Sequence, residues 1–134
     1  MKTIRLRYPD HVSGGLHGCQ KEFLDDMGAA YTVQTENFIP LSEIAAFAAR
    51  YDRLFVHFDV DVLDERFFHS TYFADPALSG DGSGGGKMTA EQLAGIFRCV
   101  RQHGNAAAFT IAEYLPFGEY RLRGALSEIS LFTE

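Results

Sequence analysis

The stretch RLFVHFDVDVLDERFF, residues 53–68, limits what this chain can fold into more than any other. Leu54, Phe55, Val56 and Phe58 form a nearly continuous apolar run, and Asp59, Asp61 and Asp64 follow at once. A short run with apolar side chains on both faces predicts a central strand of a parallel sheet, covered on each side by helices. Carboxylates at the carboxyl end of such a strand are costly to bury unless something positive neutralises them. The stretch therefore predicts both an architecture and a missing positive partner.

The rest of the chain alternates around it. KTIRLRY (2–8) and YTVQT (31–35) read as strands. CQKEFLDDMGAA (19–30) has Phe23, Leu24 and Met27 at helical spacing, with Gly28 as its stop, and LSEIAAFAARY (41–51) is a second helix. An irregular segment, 61–88, ends in the glycine cluster SGDGSGGGKM. TAEQLAGIFRCVRQHG (89–104) is a helix with Thr89 and Gln92 as a capping box and Gly104 at its end. AAAFTIAEY (106–114) is a second buried strand ending in an acid, and GEYRLRGALSEISLF (118–132) is helical with Leu122, Leu126 and Ile129 on one face. This order predicts a three-layer α/β/α arrangement around a mainly parallel sheet. With 134 residues, a single domain over 1–134 is expected.

Composition narrows the function classes. Twelve basic residues against 18 acidic ones give a net charge of −6, too little positive charge for a nucleic-acid footprint. No run of about 18 apolar residues exists to cross a membrane, and MKTIRLRYPD lacks the apolar core of a signal peptide, so a cytoplasmic location is expected. Cys19 and Cys99 lie in different elements and outside any CxxC pair, which fits reduced thiols. GDGSGGGK (80–87) does not have the spacing of a phosphate loop, and Met88 stands where Ser or Thr is required.

The acids concentrate the chemistry. In open α/β sheets the ligand site lies beyond the carboxyl ends of the strands, where Asp59, Asp61 and Glu113 all fall. Strand alternation puts Asp59 and Asp61 on one face, with Val60 pointing away. Two carboxylates so placed repel each other, and a divalent cation with oxygen-rich coordination removes the repulsion. Pairing with arginines or with turn amides explains the same spacing. His57, two residues before Asp59, shares that face as a further candidate metal ligand or as a packed core histidine.

FDVDVLD resembles the SxDxDxxDP motif of the ureohydrolases, the family of arginase, agmatinase and formimidoylglutamase. His57 replaces the Ser and Glu65 the Pro. FTIAEYLP (109–116) resembles the family's later strand ending in an acid, and GGGKMT (84–89) stands where the family has a Gly-Gly turn before a helix. The segment IRLRYPD…EFLDDMGAAYTVQT resembles the strand, helix and strand that precede the motif. Members of the family are longer, and this chain looks like their C-terminal half.

The resemblance implies hydrolysis of linear amidines, guanidino or formimino compounds, with release of urea or an amide. It implies a binuclear Mn²⁺ site, or Mg²⁺ in its place. Asp59 would bridge the metals and Asp61 bind one of them. Glu113, receiving the substrate's cationic group, and Asp64, holding the motif's turn, complete the candidate catalytic set. The family's remaining ligands, a GGDH His and the DxHxD acids and His, are absent; SGGLHGC (13–19) has Leu16 at the Asp position. The isolated chain is therefore expected to be poorly active and to form homo-oligomers or join a missing N-terminal half. The alternative from a different class is a non-catalytic α/β association module or degenerate relative.

Overall fold

The computed structural model describes residues 18–28, 38–69, 86–115, 119–129 and 131. The strands expected over 2–8 and 31–35, the segment SGGLHGC up to His17 and most of the glycine cluster lie outside the described residues. In chain order the elements are α1 (Gly18–Asp26), α2 (Leu41–Ala48), β1 (Leu54–Asp59), a 3₁₀ turn (Val60–Val62), α3 (Ala90–His103), β2 (Ala106–Ala112) and α4 (Glu119–Leu126). β1 and β2 pair in parallel, from Leu54 opposite Ala106 to Asp59 opposite Ala112, with one irregularity after Leu54. The result is an α/β fold built on a parallel sheet, as the alternation of elements predicts. No helix among the described residues is long and apolar enough to cross a membrane.

Local chemistry explains the elements. Thr89 caps α3 as expected: its Oγ1 accepts from Gln92 N (3.2 Å), while Gln92 Oε1 accepts from Thr89 N (2.9 Å). Gly104 ends α3 for a different reason than a left-handed cap. Its backbone is extended (φ −143°), and a Cβ there would sit 2.5 Å from Leu54 Cδ1 and 3.0 Å from Ala48 Cβ. Glycine lets the helix end press against α2 and β1. α2 starts after Pro40, whose missing N–H costs nothing at that position, and no side chain caps it.

The core lies on one side of the sheet. Phe58 and Val60 from β1 and its turn meet Leu93 and Phe97 of α3 and Leu122 and Ala125 of α4. Phe97 stands edge-on to Phe58 and to Phe109 of β2, at centroid distances of 5.7 and 5.8 Å. Full burial of Leu63, Leu122, Ile129 and Val60 stabilises the fold by about 1.5–3 kcal/mol each. A smaller cluster of Ile39, Ile44 and Cys99 joins α2 to α3.

The exposure of single apolar residues differs from expectation. Phe55 is 75% exposed, and His57 and Thr110 are exposed beside it. The apolar residues do occupy both faces of β1, but the described helices cover one. α1 departs in the same way: Phe23 and Met27 follow helical spacing yet are exposed at 63% and 69%. α4 stops at Leu126, short of the expected 132, although Ile129 is still buried.

Candidate functional site

The turn after β1 builds the site. Asp59 ends the strand in extended geometry, and its Oδ1 accepts from Asp61 N at 3.0 Å, capping the 3₁₀ turn. This local hydrogen bond folds Asp61 back toward Asp59 and brings the two carboxylates together. A second stretch of backbone clamps the turn from the far side. Gly86 N donates to Asp61 O (2.7 Å), Met88 N to Val62 O (3.1 Å) and Asp64 N to Met88 O (2.9 Å). The approach is so close that a Cβ on residue 86 would lie 2.0 Å from Val62 O. The last glycine of the cluster is thus a steric requirement of the site.

Asp61 is in electrostatic difficulty. Its Oδ1 is buried and has no hydrogen-bond partner among the described residues. Burial, then the neighbouring charges of Asp59 and Glu113, push its carboxyl up to about 6. Glu113 follows β2, is exposed, and has a φ of 55°, left-handed for a residue with a side chain. Such a conformation costs about 1–3 kcal/mol and persists where the surroundings over-determine it. The structure therefore gathers Asp59, Asp61 and Glu113 at the carboxyl ends of the two strands.

Asp64 and His57 have partners of their own. Asp64 is 3% exposed, and both its oxygens accept from the Arg66 guanidinium, with Oδ1 also accepting from Arg66 N at 2.9 Å. The Arg66 hydrogen bonds hold its carboxyl below the usual range, against the opposing pull of burial. Its backbone carbonyl accepts from Phe67 N (3.0 Å) and Phe68 N (2.8 Å), so Asp64 organises the turn. Arg66 went unnoticed in the sequence; its signal was the Asp-x-Arg spacing in DER. His57 is exposed, with Nδ1 2.7 Å from Thr110 Oγ1.

Carboxylate oxygens suit a divalent cation, and the orphaned Asp61 oxygen beside Asp59 fits one as part of a ligand set. Among the described residues, no three His, Cys, Asp or Glu form a group that could hold a metal ion. Asp59 and Asp61 form a pair of neighbouring carboxylates, and neither His57 nor Glu113 joins them in such a group among the described residues.

No protein-family description and no curated protein matches this sequence. Solved structures do match its fold. Formimidoylglutamase from Bacillus subtilis superposes with a TM-score of 0.56 at 17% identity, covering 84% of this chain and 35% of its own. Arginase from Bacillus subtilis gives 0.58 at 13% identity, covering 95% of this chain and 40% of its own. Arginase from Bacillus caldovelox gives 0.53 at 17% identity, covering 89% and 40%. The chain has an arginase-like fold and spans 35–40% of the length of these neighbours.

Proposed function

We infer that this chain is the C-terminal portion of an arginase-like, metal-assisted hydrolase of linear amidines, with a half-complete cation site. The observation that carries the reading is the buried Asp61 oxygen beside Asp59, without a hydrogen-bond partner among the described residues, at the strand ends where such sheets bind ligands. The resemblance of FDVDVLD and FTIAEYLP to the ureohydrolase motifs and the fold of the three neighbours support it. Asp59 and Asp61 would hold Mn²⁺ or Mg²⁺, which supplies an activated water when bound within a full ligand set. Glu113 offers its exposed carboxylate to the substrate's guanidinium or amidinium group, and that pairing would also relieve its repulsion with Asp61. Asp64, through Arg66 and the turn amides, holds the two metal-site carboxylates in place. Alone, the chain is a weak catalyst, because the pair lacks the other ligands; a chain bearing the missing N-terminal half would restore them.

Calorimetric titration of Mn²⁺ into the full chain tests this. Weak binding, with a dissociation constant on the order of 10⁻⁴–10⁻³ M as for sparse oxygen sites, is expected, and the Asp59→Ala/Asp61→Ala variant should abolish it. Equal binding by that variant, or no binding by the parent chain, would overturn the reading. A second reading, an association module without catalysis, draws on the exposure of Phe55.

A further inference from the structure

We draw no further inference here: the strongest candidate, the cavity between the first turn of α2 and α3 lined by Leu41, Ser42, Gly95, Arg98, Cys99 and Gln102, is open only with respect to the described residues, and nothing in the structure shows what covers it.

Discussion

The two halves of the turn after β1 treat the same chemical group in opposite ways. Asp61 and Asp64 are three positions apart, and both carry shielded carboxylate oxygens. Asp64 receives the Arg66 guanidinium and a turn amide, and its carboxyl is held below the usual range. Asp61 faces two more negative charges and, among the described residues, no donor to its buried oxygen, and its carboxyl rises to about 6. Desolvation acts on both; the difference lies in what each one faces. One acid has its positive partner within the chain, as a structural acid does. The other faces two further carboxylates instead.

The largest test removes the clamp that holds both halves. Gly86→Ala would drive a Cβ into Val62 O, and backbone on both sides leaves little room to yield. A loss of roughly 3–4 kcal/mol in urea-denaturation stability is expected; a change under about 1 kcal/mol would mean that the clamp is loose. Next, Asp64→Ala removes the acceptor of the Arg66 hydrogen bonds and should cost roughly 1.5–3 kcal/mol at pH 7. Asp61→Asn should act in the opposite direction, stabilising the metal-free chain at pH 7 by about 1–2 kcal/mol, after allowance for the solvent that still reaches the group. If both substitutions destabilise, the contrast between the halves fails.

Acidity sharpens the same contrast. The folded state binds a proton at Asp61 more tightly than the unfolded chain does, so its penalty is full above about pH 6 and fades as pH falls toward 3.8. Asp64 works the other way: its stabilisation is full above 3.8 and is lost as pH falls further, through its lowered folded value. Stability should rise from pH 7 to about pH 4 and fall below it. Asp61→Asn should flatten the first limb and Asp64→Asn weaken the second, as thermal unfolding across this range would record.

Much of this architecture was legible in the residues. The runs RLFVHFDV (53–60) and AAAFTIAEY (106–114) and the Thr89–Gln92 box foretold β1, β2 and α3 to within a few residues, because periodicity and capping are local. The end of α4 was less legible. Ile129 keeps helical spacing and is buried, but Glu128 N and Ile129 N bond three residues back, to Ala125 O and Leu126 O, so the chain tightens into turns while still serving the core. The exposure of Phe55 was not legible, since the residue has the same hydrophobicity covered or bare. The position of the acids at the strand ends was legible too, and the charges of Asp59 and Glu113 do reach Asp61. What separates Asp61 from Asp64 depends on where Arg66 reaches, and the left-handed backbone of Glu113 depends on its surroundings; neither has a signature in residue spacing.

The most direct measurement is a carbon-13 NMR titration of the aspartate carboxyls, with and without saturating Mg²⁺. The account predicts that Asp61 titrates near 6 in metal-free protein and falls markedly when the cation is present, while Asp64 stays below the ordinary range in both. An Asp61 that titrates at an ordinary carboxylate value, or whose titration ignores Mg²⁺, would contradict the claim that this turn is arranged for an external cation.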